Sequence, residues 1–506
     1  MPACKKTLSM PVSRIKKSAF SLSGLGHFRF RKIKDQYLLT NDWGRYLFVS
    51  KKDFEHLQSS RLDPSHLLHA QLKDKGFIEN QGERDKWEDV YRSRNLHLFK
   101  GPLLHIFVLT LRCDHRCIYC QAGRRPMNAD GFDMSPETAS LALKTAFSSP
   151  SPSLTIEFQG GEPLANFERV EQIVKEARAI GSGKTVYFTI VTSLSLMDEK
   201  KLRFLLDNRV QICTSLDGPR DLHDANRPRK KPGSYEHAIR WMDKINEAYA
   251  SQGLDPDLAN VGTILTVTKD TLKRGRDVVD EYVKQGQKVI HLRPLQPFGF
   301  AEKAWKKQNY SAEQFLDFYE EAFEHILDLN RKGVEILEKT ASLFLTAILT
   351  DRDSNYMDLR SPCGAGIGQL AYNYDGKVYI CDEGRMVGSM GDDMFCIGNV
   401  YESSYEEIIR HPGVRSVCLA SCLEGLPGCT DCAYQPYCGV CPVYSYITQG
   451  DLFPHVPQCN RCLIQKGILD ILFRHLAEDE ESVKPIFERW TIHKDRSSIY
   501  TGGRRG

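Results

Sequence analysis

Leu104-His-Ile-Phe-Val-Leu-Thr-Leu111 leads through Arg112 into Cys113-Asp-His-Arg-Cys117-Ile-Tyr-Cys120. An apolar run of that length reads as a buried strand. The carboxyl end of such a strand is where α/β proteins build their sites. The three thiols, spaced C-x3-C-x2-C, therefore fall on a loop at the mouth of a sheet. Three thiolates can hold three irons of a [4Fe–4S] cube and leave the fourth iron open. A fourth thiolate would close the cluster and confine it to electron transfer. A zinc loop short of one ligand is the other reading of this spacing.

From this strand to about Arg293, strand-like runs recur at 104–111, 154–158, 186–191, 210–216, 261–267 and 289–292. Amphipathic stretches at 136–147, 167–179, 198–207, 234–249 and 271–285 lie between them. Such alternation argues for an α/β fold with a parallel sheet covered by helices. Six repeats suit a partial (β/α)6 barrel of the TIM type, open on one side and occupying 99–310. Upstream, Tyr37–Thr40 and Tyr46–Val49 flank the turn Asn41-Asp-Trp-Gly44 and read as a β-hairpin. Helical patterns at Lys52–Ser59 and Pro64–Lys75 complete a small α+β domain at 27–98, and 1–26 is expected to be a basic, flexible tail. Downstream follow a helical connector (311–360), a cysteine-rich domain of short strands and turns (361–465), and a C-terminal helix and tail (466–506). Beyond Ala477 the acidic run is expected to be solvated or disordered.

Composition narrows the function. A chain of 506 residues exceeds one core, and 41% hydrophobic with 26% charged residues is ordinary globular usage. No apolar run approaches the ~18–20 residues that span a bilayer, so no membrane partner is expected. The first 26 residues lack an apolar signal core, so a cytoplasmic location is expected. A net charge of +3 gives no argument for nucleic acid. The 16 cysteines sit mostly in Cys113–Cys120 and from Cys363 onward, largely in C-x2-C pairs. Without a signal peptide, that pattern means metal ligands rather than disulfides.

Glu157-Phe-Gln-Gly-Gly-Glu-Pro163 ends the second strand run. Its glycines allow close backbone approach, and Glu162 offers a carboxylate to an ammonium. The C-x3-C-x2-C loop followed by this Gly-Gly-Glu-Pro turn resembles the radical S-adenosylmethionine (SAM) superfamily. The resemblance implies that the open iron chelates SAM and that Gly160, Gly161 and Glu162 hold its amino group. It implies further that Tyr119 packs the adenine, that Ser193, Ser215 and Asp217 bind the SAM carboxylate or ribose, and that Arg227, 12 places after Ser215, pairs with the carboxylate. Backbone near Leu292 would flank the adenine, and Gln159 would contact substrate. Cys213, mid-strand among apolar neighbours, reads as core.

A second cysteine field follows: Cys363-x12-Gly376-x4-Cys381, then Cys429-x2-Cys432-x5-Cys438-x2-Cys441, Cys459 and Cys462. Paired C-x2-C units describe zinc sites equally well. The whole arrangement resembles the SPASM extension of peptide-modifying radical SAM enzymes, which houses two auxiliary [4Fe–4S] clusters. By position, Cys363, Cys381 and Cys441 would serve the nearer cluster, and Cys429, Cys432, Cys438 and Cys459 the distal one. The family's C-x5-C-x3-C is here C-x5-C-x2-C, and no cysteine lies just before Cys363. The near cluster would then have an open iron or borrow Cys396, Cys418, Cys422 or Cys462. Asp382, directly after Cys381, stands where the sulfatase-maturating relatives carry a general base; a turn aspartate is the plain alternative.

Over residues ~27–470 the chain is most similar to the His-Xaa-Ser system radical SAM maturases of the B type. The similarity includes Leu38-Leu-Thr-Asn-Asp, Thr110-Leu-Arg-Cys, Cys120-Gln-Ala and Ser151-Pro-Ser-Leu-Thr-Ile-Glu-Phe-Gln-Gly-Gly-Glu-Pro. It implies reductive cleavage of SAM, a peptide or small-protein substrate with His-Xaa-Ser repeats, a second radical SAM maturase and an electron donor. The hairpin domain resembles in outline the leader-peptide recognition domains of such enzymes; a structural cap is its other reading. The alternatives for the whole chain are an anaerobic sulfatase-maturating enzyme, which makes formylglycine, and a non-catalytic zinc or Fe–S scaffold.

Overall fold

A computed structural model describes residues 24–492 except 60–65, 79–81, 83, 182, 230–232, 300–304 and 306. The expected N-terminal tail up to residue 23 and the Gly-Gly-Arg-Arg-Gly terminus lie outside the described residues.

The N-terminal domain gains a strand over the expected hairpin. β1 (Phe28–Ile33), β2 (Gln36–Asn41) and β3 (Tyr46–Ser50) form an antiparallel sheet in that order. Helices follow at Lys51–Gln58, Leu67–Asp74 and Arg84–Arg94. Leu39 and Val49 face these helices and pack with Phe54, Leu57, Leu68, Leu72 and Phe77. Leu38 and Ile33 face the other way, into the main core. There Tyr46 and Phe48 meet Phe473 edge-on, with ring centroids 5.4 and 6.3 Å away. A sheet apolar on both faces must be covered on both, so this domain is mortised into the C-terminal half.

β4 (Leu104–Thr110), β5 (Ser153–Gly160), β6 (Thr185–Val191), β7 (Val210–Ser215) and β8 (Gly262–Val267) are parallel neighbours. The sixth run divides in two. β9 (Val289–Ile290) leaves the sheet to pair with β11 (Leu337–Glu338), and β10 (Leu292–Pro294) continues beside β8. Helices Ala312–Arg331 and Lys339–Leu349 form the connector.

The sheet does not stop at the barrel. β12 (Gln369–Tyr372) lies parallel to β4, and β13 (Lys377–Tyr379) and β14 (Cys396–Asn399) extend it antiparallel. The nine strands run β10-β8-β7-β6-β5-β4-β12-β13-β14. The cysteine-rich region is thus continuous with the barrel sheet rather than a unit hung beside it, because β12 satisfies the edge amides that β4 would otherwise expose. The C-terminal helix spans Asn460–Glu478, and a second helix, Glu480–Trp490, replaces the expected solvated tail. Val483, Ile486, Phe487 and Trp490 recur at helical spacing and are buried. The acidic run supplies only that helix's first turn.

Candidate active site

β4 delivers the cysteine loop to the barrel mouth, and segment 226–229 holds it there. Cys113 N donates to Arg125 O (2.9 Å), Arg116 N to Pro228 O (2.7 Å) and Ile118 N to Asn226 O (3.0 Å). His115 is buried, its ring nitrogens 3.0 Å from Asp114 Oδ1 and 2.9 Å from Ser234 Oγ.

The Gly-Gly-Glu turn locks onto the same strand end. Gly161 N donates to Thr110 O (2.7 Å) and Glu162 N to Arg112 O (2.8 Å). A Cβ on Gly160 would stand 2.1 Å from Thr110 O, and one on Gly161 2.4 Å from Leu111 O. Only glycines let the two loops lie this close. Glu162 itself is fully buried, and four donors occupy its carboxylate: Leu164 N, Thr192 Oγ1, Ser193 N and Ser193 Oγ, at 3.1, 2.6, 2.8 and 2.6 Å. Rather than standing free for an ammonium, it pins the end of β6 to the turn.

One cavity of ≈ 700 Å³ receives side chains from all six barrel strands and from the cysteine-rich region. Cys113, Cys117, Cys120, Tyr119, Gln159, Gly160, Gly161, Ser193, Ser215, Arg227 and Asp382 all line it. Asp217 and Leu292 do not. Asp217 is fully buried behind Tyr119, whose hydroxyl donates to its carboxylate at 2.8–2.9 Å and accepts from Arg227 at 2.7 Å. Burial pushes the Asp217 carboxyl up to about 6, with Arg227 and the Tyr119 hydroxyl pulling the other way. Leu292 is buried in β10, its amide donating to Glu338 Oε1 at 3.2 Å. Cys213, read as core, turns into the cavity because β7 alternates it with Ile212 on the other face.

Asp382 opens the helix Asp382–Gly388, and Cys381 caps it, its sulfur accepting from Gly384 N at 3.3 Å. Arg385, 2% exposed, donates to Asp382 Oδ1 from Nε (3.0 Å) and Nη2 (2.9 Å), and from Nη1 to Ala122 O (3.0 Å). That last bond ties this helix to the cysteine loop across 263 residues of sequence. Glu157, bonded to the Gln159 amide, and Asp358 and Glu383 also face the cavity. The sequence reading missed Arg385, Glu157 and Asp358. Only the Gly-Gly-Glu segment offered a signal, since Glu157 shares a strand face with Gln159.

Most of the remaining thiols fall into two groups, with Cys396, Cys418 and Cys422 outside both. Cys363, Cys381 and Cys441 lie within electrostatic reach of one another. A second chamber is lined by Cys429, Cys432, Cys438, Cys441, Cys459 and Cys462. Within it Cys429, Cys432, Cys438 and Cys462 are neighbours, and Cys459 stands beside Cys429 and Cys462. Burial pushes Cys441 and Cys429 up to about 12 and Cys462 to about 11, as it does Cys117 in the first loop. Thiolates so placed need a bound cation.

Spacing decides between cations. Four thiolates on one tetrahedral zinc lie about 3.8 Å apart, given a Zn–S bond of ~2.3 Å. Among the described residues no three cysteine sulfurs come within 4.8 Å of one another. The single tight trio, Cys113, Asp114 and His115, is consecutive in sequence and its imidazole is already bonded. The thiols of both groups therefore stand wider apart than one zinc ion draws its ligands, which leaves room for a multi-iron cluster. Cys381 and Cys441 also begin helices, where backbone amides favour a thiolate.

A strand-end loop of three thiols, a Gly-Gly-Glu turn and a shared polar cavity define a redox enzyme that holds a cluster with one open corner. Residues 107–273 match the radical SAM superfamily, and the chain is a radical SAM enzyme using a [4Fe–4S] cluster and SAM. It is 24% identical over 311 residues to the cysteine-type anaerobic sulfatase-maturating enzyme of Clostridium perfringens, covering 59% of this chain and 77% of that one. Two solved structures share the fold. One is anSMEcpe with bound AdoMet and Cp18Cys peptide (TM-score 0.61, 18% identity, 77% of this chain and 99% of that one). The other is Streptococcus suis SuiB bound to precursor peptide SuiA (TM-score 0.51, 13% identity, 84% and 97%). Among the described residues no helix is long and apolar enough to cross a membrane.

Proposed function

We propose that this enzyme modifies a peptide or small protein bearing His-Xaa-Ser repeats, in company with a second radical SAM maturase and an electron donor. The observation that carries this reading is the single cavity joining the three-thiol loop to Asp382 and Glu383 beside Cys381. Bound SAM supplies a 5′-deoxyadenosyl radical able to take hydrogen from an unactivated carbon. Cys113, Cys117 and Cys120 hold its cluster, and Gly160, Gly161, Ser193, Ser215 and Arg227 hold its polar end. Tyr119 packs the adenine, with Leu292 in the wall behind; Glu162 and Asp217 position Ser193 and Tyr119. Gln159 contacts substrate. Asp382 stands where it can take a proton from substrate in the cavity, and an auxiliary cluster held beside it would supply an electron acceptor. Cys363, Cys381 and Cys441 serve the near auxiliary cluster. Cys429, Cys432, Cys438 and Cys459 serve the distal one, with Cys462 in the same chamber. Residues 27–98 recognise a leader segment, which a free edge of the β1–β3 sheet can bind by strand addition.

The likeness to the Clostridium perfringens enzyme favours a second reading, formylglycine formation on a sulfatase. Anaerobic incubation with SAM and dithionite separates the two. A His-Xaa-Ser repeat peptide is expected to change mass with release of 5′-deoxyadenosine, while a Cys- or Ser-type sulfatase peptide stays intact. Conversion of the sulfatase peptide alone would replace the first reading with the second.

A further inference from the structure

Resting on the auxiliary-cluster reading above, we infer that the near auxiliary cluster is held by three thiolates and one carboxylate, that of Asp358. Only Cys363, Cys381 and Cys441 gather at this site among the described residues. The thiols that might have completed it are placed elsewhere. Cys462 sits in the distal chamber, Cys396 on β14 with its thiol toward Gly398 O (3.5 Å), and Cys418 beside Cys422. A cube with three thiolates needs a fourth donor at its last iron, and a carboxylate oxygen is a competent one.

Asp358 is fixed for that role from three sides. Its backbone lies flat on the turn between Cys438 and Cys441, so close that a Cβ on Gly439 would stand 2.2 Å from Asp358 O. Arg461 holds Oδ2 at 3.1 Å, and Oδ1 has no hydrogen-bond partner among the described residues. Gly364 N donates to Met357 O at 3.0 Å, folding the stretch before Cys363 back so that Asp358 neighbours both Cys363 and Cys441. The same carboxylate lines the substrate cavity, so the corner it occupies is the one facing substrate. Glu383 also reaches the site, but its carboxylate bonds its own backbone amide, and among the described residues no side chain holds it as Arg461 holds Asp358.

The test uses full-length protein with Cys113, Cys117 and Cys120 changed to Ala, which leaves only the auxiliary sites. This background is expected to bind ~8 irons on anaerobic reconstitution. Asp358→Asn should change the EPR g-values and Mössbauer site pattern of one cluster, and Asp358→Cys should restore a four-thiolate spectrum with the full iron content. Glu383→Gln should leave both spectra unchanged. A shift in Glu383→Gln with none in Asp358→Asn would overturn the assignment in favour of Glu383, and no shift in either would overturn it outright. Failure of the background to bind iron would instead overturn the auxiliary-cluster reading itself.

Discussion

Arg385→Met cuts the one charged side chain that joins the cysteine loop to the helix beginning at Asp382. It removes two hydrogen bonds to Asp382 Oδ1, at 3.0 and 2.9 Å, and one to Ala122 O, at 3.0 Å. Taking one partner from a buried ion pair costs ~3–5 kcal/mol, mostly because the other charge stays desolvated. Asp382 keeps 14% of its side chain exposed toward the cavity, so the lower end, about 3 kcal/mol, is expected. Asp382→Asn in the Arg385→Met background removes the orphan charge and should bring the loss down to about 1–2 kcal/mol, that of a lost hydrogen bond and imperfect packing. The cycle is read from anaerobic urea denaturation of cluster-loaded wild type, both single variants and the double variant. The same proteins should show more 5′-deoxyadenosine per modified peptide, because the loop and Asp382 no longer move as one. Arg385→Lys, which can reach only one of the two acceptors, should restore part of each. Additive single effects, or an Arg385→Met loss below about 0.5 kcal/mol, would refute the coupling.

Replacing Cys113, Cys117 and Cys120 by Ala should lower iron content by about a third from the ~12 expected for three cubes and abolish SAM cleavage; cleavage at the normal rate would end the assignment. Gly161→Ala pushes a Cβ to 2.4–2.7 Å from the backbone of Leu111 and Arg112. It should cost ~1–3 kcal/mol and displace the cysteine loop, seen as loss of the SAM-dependent change in the cluster's EPR signal. Cys459→Ser should strip iron from the distal site by iron analysis; full retention would hand the fourth ligand position to Cys462. Burial depresses the imidazole of His105 to about 4, so below its ordinary ~6.5 the unfolded chain takes up a proton that the native state refuses. Stability should therefore fall as pH drops from about 7 to 4, by up to ~3 kcal/mol. His105→Gln should flatten that part of the urea midpoint–pH profile.

What was legible in the sequence was what local pattern encodes. The apolar run before Cys113, the strand–helix alternation, the glycine pair and the C-x2-C spacing each depend on neighbours a few residues away. What was not legible depended on partners hundreds of residues off. Nothing near Gln369–Tyr372 says that it will pair with Leu104–Phe107, and nothing near Arg385 points to Ala122. Glu162 is instructive, because its motif marked it but the motif could not tell ligand from scaffold. Only the four donors around its carboxylate show what it holds in place. The helix Glu480–Trp490 was hidden by its own acidic first turn, which resembles a solvated tail until the spacing of Val483, Ile486, Phe487 and Trp490 is followed through.

The register between β4 and β12 has a consequence for the chemistry. Cys113 follows the carboxyl end of β4, whereas Cys363 precedes β12, whose first residue Gln369 lies beside Leu104 at the opposite end of the same strand. β13 runs back antiparallel and returns Cys381 to that end too. Cys113 and the pair Cys363 and Cys381 therefore belong to opposite ends of Leu104–Thr110, a strand some 20 Å long at ~3.3 Å per residue. A strand cannot change this spacing gradually, since a slip of one residue would turn every side chain to the wrong face. The placement of one thiol set relative to the other is thus fixed by strand length. The helix carrying Asp382 and Arg385 reaches the cysteine loop from the side through Ala122 O, which is why Arg385, rather than a residue of the barrel strands, is where the two sites can be uncoupled.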